Sequence, residues 1–238
     1  MKVRLVGFVQ RSVFSSHLLR AGAGLVILLT LHSEAESTLV QISDEFLQQM
    51  EQDYGRRASK RFEHWDELIQ SSQQLPDLEK LQLVNKFFNS MRYVSDLDNW
   101  GEEDYWATPI EFLATNSGDC EDYTLAKYFT LRALGVADEK LRLTYVTAIR
   151  LNQAHMVLTY YADISSEPLV LDHLSNAIKP ASSRTDLQPV YSFSGDGLWL
   201  SKQRGRGQLI GKADNLDQWT LFLTRQRKEI KNVQYDNS

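Results

Sequence analysis

The spacing of the hydrophobic residues changes along this chain of 238 residues, and that change limits its fold more than any other feature. Before Gly135 the apolar residues recur every three or four positions, as in amphipathic helices. From Leu141 onwards they alternate with polar residues, which predicts strands at 141–149, 155–161 and 169–174. The connectors between these strands are too short for helical crossovers, so the strands are expected to be antiparallel. Helices followed by an antiparallel sheet predict an α+β fold.

The helical part of the pattern predicts helices at 43–69, 76–91, 108–115 and 119–134. The first helix begins after the N-cap Ser43 and is expected to continue through Gly55. The third begins with a capping box whose first residue is Thr108. A further strand is expected at 198–200, and beyond Gly211 the pattern fits either a helix or a strand.

The first 35 residues have the pattern of a signal peptide. Their charges before Glu34 are all basic, and these precede an apolar run at 21–31. A helix of that length spans about 16 Å, roughly half of the hydrocarbon core of a bilayer, so export with cleavage after Ala35 is expected rather than anchoring. We therefore expect three segments, namely a signal peptide at 1–35, an N-terminal helical lobe at 36–93 and a core at 94–238 that contains the sheet.

Charge and cysteine content exclude several classes of protein. The chain has 26 basic and 31 acidic residues, a net charge of −5, which supplies no basic field for nucleic acid. Cys120 is its single cysteine, so an intrachain disulfide, a CxxC redox pair and a zinc site with several cysteines are excluded. What remains for Cys120 is a buried filler or a reactive thiol.

Cys120 lies in the first turn of the predicted 119–134 helix, where unpaired N–H groups and the helix dipole favour a thiolate. A nucleophile also needs a base and a group that orients the base. His155 opens the second predicted strand and Asp172 lies in the third, so the two can meet across adjacent strands. His173 is the alternative base, but strand alternation predicts that it points away from the face of Asp172. Of the other histidines, His17 and His32 lie in the segment expected to be removed on export, and His64 lies among charged residues on the first helix.

Three carboxylates, Asp119, Glu121 and Asp122, surround the cysteine. Their charge would raise the thiol pKa, which opposes catalysis unless a hard cation such as calcium offsets it. The alternative is that acidic residues are simply favoured at helix N-termini. The nearby segment 95–104 superficially resembles a calcium loop but lacks the bidentate glutamate, so it is expected to be a solvated acidic loop.

Several sequence runs together resemble the bacterial transglutaminase-like cysteine proteinase family. They are Trp-Ala-Thr-Pro-Ile-Glu-Phe-Leu-Ala-Thr-Asn-Ser-Gly-Asp-Cys-Glu-Asp-Tyr at 106–123, Ala-His-Met-Val-Leu at 154–158, Leu-Asp at 171–172, Arg-Thr-Asp-Leu-Gln-Pro at 184–189 and Gly-Leu-Trp at 197–199. The resemblance covers roughly residues 40–200. It departs from the family at His173 and Ser194, where asparagine is expected.

The resemblance implies a papain-like, transglutaminase-like fold in which 94–238 is the catalytic core. It implies Cys120 as nucleophile, His155 as general base and acid, and Asp172 as the orienting acid. It also implies Ca²⁺ at Asp119, Glu121 and Asp122.

The same resemblance implies a biological setting. Such proteins act in the periplasm, cut a large cell-surface adhesin near its N-terminus at a site with two adjacent alanines, and so release biofilm. The periplasmic domain of an inner-membrane cyclic-di-GMP receptor sequesters them. Two other functions fit the residues, an acyltransferase that passes the acyl group to an amine and a non-catalytic binding module. For the oxyanion, the Cys120 N–H is one expected donor, and Trp106 or a polar residue near Asn116 could be the second.

Overall fold

The structure is a computed structural model that describes residues 42–163, 165–195, 197–202, 205–213 and 216–235. The predicted signal peptide at 1–35 lies outside the described residues. Within the described ranges, no helix combines the length and the apolar character needed to cross a bilayer.

Seven helices occur in the described part of the chain: α1 (Asp44–Tyr54), α2 (Arg56–Ser72), α3 (Asp77–Phe88), α4 (Asp96–Trp100), α5 (Pro109–Thr115), α6 (Cys120–Ala133) and α7 (Asp217–Tyr235). Ser43 caps α1, and Thr108 forms the predicted capping box at α5. The prediction of one continuous helix through Gly55 is wrong. Gly55 has φ 84°, a left-handed conformation that breaks the helix, and α2 restarts after it. The ambiguous segment beyond Gly211 is helical, as α7.

The strands described are β1 (Arg92–Tyr93), β2 (Ser117–Gly118), β3 (Leu141–Ala148), β4 (Gln153–Tyr160), β5 (Leu169–Asp172), β6 (Ser175–Pro180), β7 (Leu187–Phe193), β8 (Leu198–Lys202) and β9 (Gly205–Gly211). β1 and β2 form a short parallel pair. The other seven form an antiparallel sheet in the order β6-β5-β4-β3-β7-β8-β9. The predicted α+β fold is confirmed, with the three predicted strands as β3, β4 and β5.

The core lies between α6 and the sheet and fixes where α6 begins. Leu125 and Leu131 on α6 are fully buried, and Met156 on β4 is 1% exposed. Trp65 of α2 donates from Nε1 to the Thr130 hydroxyl of α6 at 2.9 Å. Because α6 is held against β4 on one side and α2 on the other, its first turn has a fixed position beside β4.

Candidate active site

Cys120 is the first residue of α6, as predicted, and its surroundings are set by a capping box. The Asp119 carboxylate accepts from the Glu121 N–H at 3.2 Å, and the Asp122 carboxylate accepts from the Asp119 N–H at 3.2 Å. Cys120 itself is 8% exposed. The two reciprocal bonds hold the first turn rigid, so the thiol has a defined direction.

A threonine joins the first turn of α6 to β4. The Thr124 hydroxyl lies 2.8 Å from the Cys120 carbonyl and 3.0 Å from the Met156 carbonyl. A backbone hydrogen bond from Met156 also reaches the Cys120 sulfur. Met156 directly follows His155 on β4, so these bonds hold the first turn of α6 against the strand that carries the predicted base.

His155 and Asp172 form a buried pair on neighbouring strands. His155 Nε2 is 2.9 Å from Asp172 Oδ1, and the two residues are 5% and 1% exposed. The carboxylate fixes the tautomer that has its proton on Nε2, which leaves Nδ1 free to take a proton from a thiol. The structure therefore pairs the predicted base with the predicted orienting carboxylate, and β4, which carries the base, packs against α6, which begins with the predicted nucleophile.

Arg184 completes the environment of Asp172, although sequence reasoning gave it no role. Its Nη2 lies 2.6 Å from Asp172 Oδ2, and Leu174 donates its N–H to Oδ1 at 3.1 Å. Burial alone would raise the pKa of Asp172, but hydrogen bonds and charges from His155 and Arg184 hold that pKa well below its usual range. Asp172 is therefore ionised at neutral pH and can stabilise a protonated His155. Arg184 also contacts Asp186, at 2.8 Å.

His173 also lies at the site, so the prediction that it faces away is wrong. Asp172 is the last residue of β5, and strand alternation does not extend to its neighbour. The His173 ring stacks between Tyr93 and Tyr123, with centroids 5.1 and 5.0 Å away, and meets the His155 ring edge-on at 5.1 Å. Burial, with the charge of His155, lowers the pKa of His173 to about 4, so His173 is uncharged at neutral pH and packs between the two tyrosines.

A buried carboxylate from another segment joins those around the cysteine. Oxygen atoms of Asp96, Asp119 and Asp122 lie within 4.8 Å of one another. The expectation of a solvated acidic loop at 95–104 holds for the exposed residues 101–104 but is wrong for the first half of the segment, which forms α4 and buries Asp96 at 4% exposure. Asp96 accepts the Tyr105 N–H at 2.7 Å through Oδ2, while its Oδ1 is buried and has no hydrogen-bond partner among the described residues. A buried carboxylate with a spare oxygen, in a cluster of three acidic residues, is the environment of a cation ligand.

The carboxylates disfavour each other's ionisation and that of the thiol. Burial, followed by the charges of Glu121 and Asp122, raises the pKa of Asp119 to about 9. Burial also raises the pKa of Asp96 to about 6. The Cys120 thiol donates to Glu121 Oε2 at 2.7 Å, and burial together with the charges of Glu121 and Asp119 raises the thiol pKa far above its ordinary value. Oxygen donors of this density suit a hard divalent cation, whose charge would offset theirs.

The Cys120 N–H has no hydrogen-bond acceptor within the described ranges, so it is available to an oxyanion. Trp106 has a different role from the one considered for it. Its indole N–H donates to Asp104 at 3.0 Å, and its ring stacks on Phe193 with centroids 5.9 Å apart. Trp106 is therefore a packing residue.

Comparison with known proteins gives consistent matches. The sequence profile of the bacterial transglutaminase-like cysteine proteinases (BTLCP) matches residues 43–196. Solved structures of Legionella pneumophila LapG are similar to the chain. The EGTA-treated form is 44% identical with a TM-score of 0.68 and covers 77% of this chain and 97% of its own. The calcium-bound form is 45% identical with a TM-score of 0.66 and covers 78% and 99%. A search of curated proteins found no match.

Proposed function

Because this chain belongs to the bacterial transglutaminase-like cysteine proteinase family and is a cysteine peptidase, we propose that it is a calcium-dependent endopeptidase of the periplasm. The observation that carries the proposal is the buried His155–Asp172 pair beside the first turn of α6. In that arrangement Cys120 would be the nucleophile, His155 its base and Asp172 the carboxylate that orients the base, which are the three groups that acyl transfer requires.

The first half-reaction forms a thioester. His155 Nδ1 takes the thiol proton of Cys120, and the sulfur attacks the carbonyl carbon of the scissile peptide. The Cys120 N–H donates to the oxyanion as the C–S bond forms. The imidazolium, stabilised by Asp172, then gives its proton to the leaving nitrogen as the C–N bond breaks.

The second half-reaction releases the acyl group. His155 removes a proton from water, and the resulting hydroxide attacks the thioester carbon. The C–S bond breaks, the acid product leaves, and the proton returns to the Cys120–His155 pair. Asp172 stays ionised throughout because Arg184 and His155 both stabilise its charge.

Calcium fits the carboxylates beside the nucleophile. The residues that would hold it are Asp119, Glu121 and Asp122, as the sequence suggested, together with Asp96, whose Oδ1 is buried and has no partner in the described part of the chain. Bound calcium supplies positive charge that offsets these carboxylates and so favours the Cys120 thiolate. Legionella pneumophila LapG, to which the chain is similar, has been solved both calcium-bound and EGTA-treated.

The substrate, partner and location extend the proposal further. We propose cleavage of the N-terminal region of a large surface adhesin between adjacent alanines, with release of biofilm. Control would come from the periplasmic domain of an inner-membrane cyclic-di-GMP receptor. Sequence resemblance to the family supports these points, and the basic and apolar pattern of residues 1–35 supports export.

The test is incubation of the full chain with an adhesin N-terminal fragment that contains a di-alanine site. Two product fragments should form with calcium and disappear with chelator or in Cys120→Ala. Full cleavage by Cys120→Ala would refute the nucleophile. An amide adduct with an added amine, in place of two hydrolysis fragments, would assign the chain as an acyltransferase instead. Failure of Cys120 to react with iodoacetamide at neutral pH, without a calcium-dependent thermal shift, would indicate a binding module.

A further inference from the structure

One open groove in the structure carries a concentration of positive charge. We call it the basic groove, and the residues that line it are Arg56, Arg57, Lys60, Arg61, His64 and Asn116. The chain as a whole has a net charge of −5, so this surface is opposite in sign to the rest of the molecule. Local charge of this kind selects a partner of opposite charge even when the net charges repel.

The positive charge in the basic groove is only partly compensated by the protein. Lys60 pairs with Glu63 at 2.6 Å, but the first turn of α2 contains no acidic residue. The side chains of Arg56 and Arg57 are exposed and have no hydrogen-bond or ion-pair partner among the residues that the structure describes. Two full charges in the groove are therefore free to bind an anion.

The floor of the basic groove is rigid. Arg61 donates from Nε to the Leu113 carbonyl at 2.6 Å and from Nη2 to the Ala114 carbonyl at 2.7 Å, which fixes it to the end of α5. Burial and the neighbouring charge of Arg92 lower the pKa of the Arg61 guanidinium. Arg92 does not line the groove, but a carboxylate bound beside Arg61 would offset the repulsion between these two guanidinium groups.

The basic groove lies close to the nucleophile along the chain. Asn116 lines the groove and precedes Cys120 by four residues. Four residues span at most about 14 Å even when fully extended, so the Cα atoms of Asn116 and Cys120 cannot be farther apart than this. An extended substrate covers this maximum distance with about four residues, at about 3.3 Å each, so the edge of the groove at Asn116 lies within about four residues of the scissile bond.

We propose that the basic groove binds an acidic segment of the protein substrate, about four to six residues from the scissile bond. The inference rests on the proposed endopeptidase function and adds a charge requirement to it. The di-alanine site has small side chains and offers few contacts, so a flanking acidic segment would supply binding energy that the cleavage site lacks.

The experiment uses two peptides with the same di-alanine site. The first carries four glutamates that start four residues from the scissile bond, and it is made in two versions, with the glutamates on the N-terminal or on the C-terminal side of that bond. The second carries four glutamines at the same positions. With calcium present, the full chain should cleave one glutamate version with about tenfold higher kcat/KM, mainly through KM, and the gain should disappear at high salt.

The matched variants are two double charge reversals. Arg56→Glu/Arg57→Glu should cleave both peptides at similar rates, because the gain depends on the groove. Acidic residues are favoured in the first turn of a helix, so this variant should fold. Lys86→Glu/Lys179→Glu reverses two exposed lysines outside the groove and should keep the full preference. An unchanged preference in the Arg56→Glu/Arg57→Glu variant would overturn the proposal.

A binding measurement separates this proposal from the endopeptidase function. Fluorescence anisotropy with a labelled glutamate peptide and Cys120→Ala should show binding that Arg56→Glu/Arg57→Glu weakens by about tenfold, since exposed ion pairs are individually weak. If neither peptide is cleaved but this difference in binding is found, the proposed endopeptidase reaction is refuted, while binding of an acidic segment by the basic groove is supported. If an oligonucleotide of equal charge displaces the peptide with equal affinity, the groove is a general polyanion site and the substrate assignment fails.

Discussion

Arg184 and Asp172 form a buried ion pair, with Arg184 Nη2 2.6 Å from Asp172 Oδ2 and side chains 6% and 1% exposed. The opposite oxygen of the same carboxylate holds His155. One aspartate thus connects a permanent cation to the catalytic base. This makes Arg184 a positioning residue, because it acts on the base only through Asp172.

We expect Arg184→Gln to lower kcat by about ten- to a hundredfold, as loss of a partner that orients a functional group commonly does. Without the guanidinium the pKa of Asp172 rises, so the acid limb of the kcat/KM profile should move to higher pH. Arg184→Lys keeps the charge and should recover part of both effects. If Arg184→Gln lost the same fraction of activity at every pH and the acid limb of the kcat/KM profile did not move, Arg184 would have only a structural role.

Replacement of Asp172 by Asn should be more damaging. The amide no longer stabilises the imidazolium or fixes the His155 tautomer, so kcat should fall by about a thousandfold or more. Steady-state cleavage of the di-alanine peptide measures this, and circular dichroism confirms that the variant is folded. A decrease of less than tenfold would mean that Asp172 does not orient His155.

Asp96→Asn tests whether the buried oxygen at α4 is a calcium ligand. The amide oxygen can still accept the Tyr105 N–H, so the local fold should be kept, while calcium affinity by isothermal titration calorimetry should fall by about 10- to 100-fold. In chelator the same variant should be more stable than the wild type, because it removes a charge that the neighbouring carboxylates repel.

Asp98→Asn is the matched control for Asp96→Asn. Asp98 is exposed on the same short helix and accepts from the Ser95 hydroxyl at 2.7 Å. Its replacement should leave calcium affinity unchanged. Equal affinities for the wild type and both variants would remove Asp96 from the proposed site.

The lowered pKa of His173 should make the folded protein less stable as the pH falls. Its pKa is about 4 in the folded protein, against about 6.5 in the unfolded chain, so the unfolded state binds the proton first as the pH falls. The unfolding free energy should therefore fall between about pH 6.5 and pH 4, by at most about 3 kcal/mol from this group. His173→Phe keeps an aromatic ring in the stack but cannot titrate, so it should lack this component.

Urea denaturation in saturating calcium at pH 7 and pH 4.5 measures the difference between the wild type and His173→Phe. His64→Gln, at an exposed histidine on α2, should behave as the wild type. If His173→Phe has the same pH dependence as the wild type, His173 is not the neutral buried group that its packing indicates.

The sequence by itself determined the features that depend on near neighbours. N-caps at Ser43 and Thr108, the position of Cys120 in a first helical turn and the alternation of β3 to β5 all follow from residues within a few positions. They could be predicted because capping and periodicity are local properties of the backbone. Resemblance to a family added the roles of His155 and Asp172, which the spacing of residues left open.

The tertiary structure decided the contacts between distant segments. Asp96 precedes Asp119 by 23 positions, and its burial depends on α4 folding towards α6 rather than into solvent. Arg184 reaches Asp172 across β6 and a turn, and His173 turns into the site because β5 ends one residue before it. The spacing of hydrophobic residues carries no information about such contacts, because the packing of whole helices and strands determines which distant side chains meet.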